Sequence, residues 1–294
     1  IESLYPSNTD MFRLAEEQGA FRGYVHPYFG ERDPNGGDEP TLGTAKAFPV
    51  DAALGTVEAL EMSYASRAAY IVWHHMLNND FKIIPVGGED SISSLYRTAI
   101  VGQVRTYAYL GEAPLTWDNW ISALRKGHTM VTNGPLPILT IDDRLPGDEI
   151  RLPAEGGTVT LTAEVKSIVP LDRAVIYRNG EIALNIPLKE GVTDGVFIQQ
   201  IGVRESGWYT LHVESEEAAH PIDDGYPQAS TNAIRVYVGD QPIRSPESAR
   251  YFVRWIDRLM EMAEAHPGWR SDKERGSVMD QFMQARQVYE VLAR

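Results

Sequence analysis

The chain has 294 residues and a mass of 32.8 kDa, length for one large or two to three ordinary domains, and with 43% hydrophobic and 23% charged residues its composition excludes disordered and fibrous classes. With no cysteine, disulfide scaffolds, thiolate nucleophiles and sulfur-ligated zinc are excluded, which leaves oxygen and imidazole as metal ligands. Lys plus Arg number 27 against 41 Asp plus Glu, a formal charge of -14, so nucleic acid and anionic lipid are not expected partners, and no apolar run reaches the ~18 residues of a membrane helix.

The start, Ile1-Glu2-Ser3-Leu4-Tyr5-Pro6, has neither an initiator Met nor a basic-then-apolar leader. It predicts that the chain begins inside a longer product, and leaves localisation, including export, open. Up to about residue 130, apolar runs alternate with helical periods, which predicts βα units around a mainly parallel sheet. The strands are Phe21 to His26, Leu60 to Tyr64, Ile83 to Val86 and Thr106 to Leu110. Ser7 and Asp10 open a helix with Met11, Leu14 and Ala15 on its inner face, and Gly19 closes it. A second helix runs from about Ser66 to Asn79. A third is capped by Thr116, buries Trp117, Trp120, Ile121 and Leu124 on one stripe, and ends at Gly127. Asp33 to Glu39 reads as a loop.

From Asn133-Gly134-Pro135 to about Gly239 the period falls to two, as in Thr158 to Val165, and predicts a β-sandwich with further strands at Trp208 to Val213 and Ile234 to Val238. Asn179-Gly180 has the chemistry of a type I′ hairpin turn. Beyond Pro242 the helical period returns. Ser245-Pro246 opens one helix with Ala249, Phe252, Val253, Ile256, Leu259 and Ala263 inward. Ser271 and Glu274 open another with Val278, Phe282, Ala285, Tyr289 and Leu292 inward. The domains expected are thus 1–134, 135–241 and a helical hairpin, 242–294.

His26 ends a strand and precedes Pro27, which cannot continue a sheet ladder, so its imidazole is delivered to the end of the sheet where α/β folds bind ligands. Asp90 repeats the arrangement after Ile83 to Val86, with Gly87-Gly88 supplying a turn that aims Glu89 or Asp90 into the same mouth. An imidazole and a carboxylate at neighbouring strand ends suit a metal; each also suits a capped turn or a hydrogen-bonded edge. Of His74 and His75, adjacent on a helix, one is expected to be solvated and the other packed. His128 reads as a helix C-terminal cap, His212 as facing water from a strand, His220 as part of an acidic turn with Asp223 and Asp224, and His266 as a helix stop. Serine-hydrolase elbows, His-Glu-x-x-His, Walker and dinucleotide glycine patterns are missing from the sequence.

The stretches Gly23-Tyr24-Val25-His26-Pro27, Phe48-Pro49-Val50-Asp51 running to Leu60-Glu61, and Pro85-Val86-Gly87-Gly88-Glu89-Asp90 are followed by Thr132-Asn133-Gly134-Pro135, Ser167-Ile168-Val169-Pro170, Glu205-Ser206-Gly207-Trp208 and Arg244-Ser245-Pro246-Glu247. In this order they resemble the CehA/McbA metallohydrolases, whose barrel is related to the PHP domain. The resemblance implies an α/β fold, an incomplete PHP-like (β/α) barrel followed by a β-sandwich and a C-terminal helical hairpin. It implies divalent metal ions, zinc first and manganese or iron next, with His26 and Asp90 as ligands. Glu61 would stand behind them, and Arg105 and Asn133 would line the pocket; the ordinary alternatives are a surface ion pair for Arg105 and a turn of positive φ for Asn133. Ile92 stands where the PHP pattern has a histidine, and the His-x-His pair that opens such barrels does not occur. An N-terminal part of the barrel is therefore expected to be supplied by the remainder of the same protein, and this chain alone is expected to have little or no activity. The implied reaction is attack of metal-activated water on an ester, carbamate, amide or phosphoester of a small-molecule substrate; a homo-oligomer is left open. The other readings are a non-catalytic binding or structural module with an inert barrel remnant, and a sugar-binding module resting on Trp208, Trp117 and Trp120.

Overall fold

The computed structural model describes residues 5–38, 40–62, 67–88, 90, 101–188, 193–222 and 226–294. Tyr64, Glu89, Ile92, Asp223 and Asp224 lie outside the described residues. The described residues form a mixed α/β structure of six helices and three sheets, none closed. Among them no helix is long and apolar enough to cross a membrane.

Helix α1 (Asn8–Glu17) starts as expected: Ser7 accepts from the Asp10 amide and Asp10 accepts from that of Ser7. Met11 and Leu14, expected inside, are 51% and 52% exposed. The helix turns Thr9 inward instead, because the Thr9 hydroxyl bonds the buried Asp51 carboxylate at 2.6 Å, and Phe12 meets Tyr24 edge-on. Strands β1 (Gly23–Tyr24), β2 (Ala59–Glu61) and β3 (Ile84–Val86) pair in parallel, in that order. Helices α2 (Phe48–Ala53) and α3 (Arg67–Leu77) carry the crossovers that parallel pairing requires.

The fourth expected strand joins a different sheet. Strand β4 (Arg105–Ala108) pairs antiparallel with β5 (Thr129–Thr132) across α4 (Trp117–Lys126). Its Arg-Thr-Tyr-Ala sequence is only half-buried, whereas a strand inside a parallel sheet needs apolar residues on both faces. Thr116 and the left-handed Gly127 cap α4 as expected, yet Trp117 is 71% exposed. Only the last turn of α4, at Ala123 and Leu124, reaches the core; Trp117 rests on Trp120, with ring centroids 5.4 Å apart.

Strands β6 (Leu136–Ile141), β7 (Glu149–Leu152), β8 (Gly157–Lys166), β9 (Arg173–Arg178), β10 (Glu181–Asn185), β11 (Asp194–Val203), β12 (Gly207–Glu214), β13 (Gln228–Thr231) and β14 (Ile234–Val238) complete the sheets. One sheet has the order β10-β9-β12-β13-β5-β4, with β14 bonded to β12 and β7 to β14; the other is β11-β8-β6. Asn179 and Gly180, at φ 53° and 88°, form the predicted turn between β9 and β10. A core of Leu139, Leu161, Ile176, Leu211 and Val236 fills the space between these two sheets.

Helices α5 (Pro246–Glu264) and α6 (Asp272–Leu292) run in opposite directions, since Arg244 before α5 donates to the carbonyls of Val291 and Leu292 at the end of α6. With α2 and α3 they enclose a second core around Trp73, Trp255, Phe252 and Tyr289, which Trp208 of β12 also enters.

Candidate metal-binding strand ends

Chain order puts the β1 and β2 ends side by side, because Tyr24 pairs with Leu60 in parallel register. His26 and Glu61 therefore emerge at the same edge, 35 residues apart in sequence. The Glu61 side chain is 4% exposed; its Oε2 accepts the His26 backbone amide and lies 3.4 Å from Nδ1. The other ring nitrogen, Nε2, lies 3.4 Å from Oδ2 of Asp90, whose side chain is 73% exposed. The expected convergence of His26 and Asp90 is thus present, with Glu61 buried behind the imidazole.

Both ligand candidates have left-handed backbones, at φ 49° for His26 and 52° for Asp90. For residues other than Gly this is uncommon and costs about 1–3 kcal/mol when the surroundings impose it. Neither Gly87 nor Gly88 has a positive φ. Their role is close approach: a Cβ on Gly87 would stand 2.8 Å from Val131 Cγ2 and 3.0 Å from the Arg105 backbone, and one on Gly88 would stand 3.0 Å from Glu61 Oε1. The Gly87 amide also donates to Thr106 Oγ1 at 2.7 Å, tying β3 to β4.

The chemistry of the pair fits a cation. Two ligand atoms each ~2.0–2.1 Å from a tetrahedral ion stand about 3.3–3.4 Å apart, and Nε2 and Oδ2 have that separation. A carboxylate behind the opposite ring nitrogen is the arrangement that orients metal-bound histidines. Among the described residues, however, no group of three or more His, Asp or Glu side chains could hold an ion. The pair is a partial donor set.

Asn133 has structural employment. The Asn133 Oδ1 accepts from the Gln228 amide and its Nδ2 donates to the Tyr226 carbonyl, both at 2.8 Å, so the side chain clamps the start of β13. Its backbone is not left-handed. Arg105 borders Gly87 through its backbone, and its Nε is buried without a hydrogen-bond partner among the described residues.

Three histidine expectations change. His212 is 7% exposed rather than solvated: β12 is flanked by β9, β13 and β14 and covered by α3, so His212 meets Tyr70 at 5.0 Å and Glu214 at 3.4 Å. Neither His74 nor His75 stands free in water. His75 stacks on Tyr251 at 4.0 Å, while His74 packs on Trp208 at 4.9 Å, where burial followed by the proximity of His212 lowers its pKa to about 3. The His128 ring bonds Asp148 at 2.9 Å rather than capping α4.

Sequence reasoning missed two buried polar groupings. Asp51, fully buried, accepts from Thr9, Tyr24 and Thr56, and burial raises its pKa despite those bonds. This anchors Tyr24, two residues before His26; a lone acid inside the apolar run Phe48 to Ala53 was the available signal. Glu214 gathers His212, Arg173 at 2.9 Å and Arg67 at 3.6 Å, and their combined pull, led by the His212 hydrogen bond, lowers its pKa to about 2. No family model matches the chain, and no curated protein matches it.

Proposed function

We propose that the chain is part of a metal-dependent hydrolase of the CehA/McbA, PHP-like kind. In this reading β1, β2 and β3 are strands of an incomplete (β/α) barrel, the two further sheets a β-sandwich, and α5 with α6 a helical hairpin. The observation that carries it is the 3.4 Å separation of His26 Nε2 and Asp90 Oδ2, backed by the buried Glu61 carboxylate. His26 would offer neutral imidazole and Asp90 carboxylate to zinc, or to manganese or iron, and Glu61 would fix the ring. An ion held there would supply activated water by lowering the pKa of a bound water towards ~7, and would polarise the scissile ester, carbamate, amide or phosphoester. In this reading the remaining ligands would come from outside the described residues, and this chain by itself would have low activity.

Equilibrium dialysis of the chain against zinc, manganese and ferrous iron tests the reading. Saturable uptake of one of these metals is expected, lost in both His26→Ala and Asp90→Asn. Metal content that neither substitution changes would overturn the proposal and favour a binding or structural module.

A further inference from the structure

Among the described residues strand β11 has an open edge, whereas the edge strands β10, β6, β4 and β7 are guarded. Proteins protect free edges with short strands, bulges, proline or charge, because unpaired N–H and C=O groups template pairing with another chain. Strand β10 carries a bulge between Ile182 and Leu184, and β6 contains Pro137. Strands β4 and β7 have four residues each, and β7 carries Glu149 and Arg151. Strand β11 has none of these defences. It runs ten residues in unbroken register against β8, and its only charged residue is Asp194, at one end. Among the described residues β8 is its one partner.

The direction of its hydrogen bonds follows from one contact. The Ser167 amide donates to the Thr193 carbonyl at 2.8 Å, and these residues stand opposite each other in the register that pairs Asp194 with Lys166. In an antiparallel ladder, bonded and non-bonded pairs alternate. Residues 193, 195, 197, 199, 201 and 203 therefore bond β8, while the amides and carbonyls of Asp194, Val196, Ile198, Gln200 and Gly202 face the open edge. Val196 and Ile198 are also 66% and 65% exposed on the outer face.

We infer that β11 pairs antiparallel with β11 of a second copy of this chain, joining two three-stranded sheets into one across a two-fold axis at Gln199. The axis is chosen by charge and by face. Centred on Gln199, Asp194 lies opposite Arg204 of its partner, and Arg204 opposite the partner's Asp194, so both ends carry complementary charge. The same register sets Val196 opposite Gly202 and Ile198 opposite Gln200, which keeps outer face with outer face and meets edge-facing amides with edge-facing carbonyls. Lys166, across from Asp194 on β8, is already paired with Glu164 at 2.9 Å. A single pair of strand edges buries less than the ~1,200–2,000 Å² of a permanent interface, so the dimer forms in a concentration-dependent manner. This inference does not depend on the hydrolase reading.

Sedimentation equilibrium of the full chain from about 1 to 100 µM is the test. The mass is expected to rise from 32.8 kDa towards twice that value. Gln200→Pro removes an edge-facing amide without breaking a β8 bond, and is expected to stay monomeric with its thermal melt retained. Asp194→Arg is expected to raise the dimer dissociation constant about tenfold or more, and the double variant Asp194→Arg, Arg204→Asp to bring it back to within about threefold of wild type. A mass of 32.8 kDa at every concentration would overturn the inference. So would a dimer that survives Gln200→Pro or gains nothing from the charge swap.

Discussion

Replacing Glu61 by Ala removes the acceptor of the His26 amide and the carboxylate behind Nδ1 in one step. An amide left without its acceptor costs about 1–3 kcal/mol. His26 at φ 49° adds to this, because a backbone in that region persists only while its surroundings hold it. Loss of a buried carboxylate returns some desolvation energy, and relaxation of residue 26 returns some strain. The balance expected is about 2 kcal/mol of destabilisation, which for a chain of 294 residues unfolding as one unit lowers the melting temperature by roughly 3 °C. Glu61→Gln keeps one carbonyl oxygen for the amide and should lose less than half as much. Differential scanning calorimetry in the presence of a chelator separates this from any metal effect. An Ala variant melting within about 1 °C of wild type would refute the view that Glu61 holds His26 in place. Equal losses for Ala and Gln would refute it too, since the acceptor oxygen would then not be the cause. With zinc present, both variants should bind about 10–100-fold more weakly, as loss of outer-shell support predicts.

Gly87→Ala should destabilise by about 1–3 kcal/mol in urea unfolding, because its methyl would press on Val131 and on the Arg105 backbone. Trp208→Ala should cost about 3–5 kcal/mol by the same measurement, and Trp117→Ala under about 0.5 kcal/mol, since the first is fully buried and the second 71% exposed. Acid unfolding should depend on Glu214. Its folded pKa, about 2, lies below the model-peptide value of 4.5, so its stabilisation is complete above pH 4.5 and disappears as pH falls towards 2, an effect of roughly 3 kcal/mol. Asp51 has the opposite sign, its raised pKa making protonation favour the fold in the same descent. Chemical denaturation from pH 6 to 2 should therefore show Glu214→Gln losing less stability than wild type, and parallel curves would show that the His212, Arg67 and Arg173 contacts do not stabilise the carboxylate.

The strand ends were legible because their signals are local. Pro27 cannot extend a ladder, and the β1 ladder indeed stops at Tyr24, short of the expected His26; Gly87-Gly88 after an apolar run marked the end of β3 but not the close approach that the structure shows. The capped helices were legible for the same reason, since Ser7, Thr116, Ser245 and Ser271 each bond an amide three residues on. What failed was inference from period to burial. Alternation in β12 says that Leu211 and His212 face opposite ways, but only the third dimension shows that α3 covers the second face as the opposing sheet covers the first. The Trp117 stripe is helical in period, yet the core ends at Ala123 and Leu124. Likewise β4 has a strand sequence whose partner, β5 rather than β3, is fixed by contacts beyond its own residues.

The left-handed residues carry the distinction furthest. Asn179 and Asp142 are types that tolerate this conformation, and each side chain bonds a nearby strand amide, Asn179 to Trp208 and Asp142 to Thr160. The Asp80 carboxylate is held by Arg235 and Tyr237. His26 has no comparable turn chemistry of its own, and Pro27 after it disfavours a helical alternative. Its conformation is instead imposed from Glu61, on another strand, and from Thr44, which donates to its carbonyl. A sequence can mark the residue that bears this strain, but the register of β1 against β2 is what brings the restraining carboxylate to it. That register also leaves Nε2 turned away from Glu61 and towards Asp90, the one direction in which a shared cation would bind.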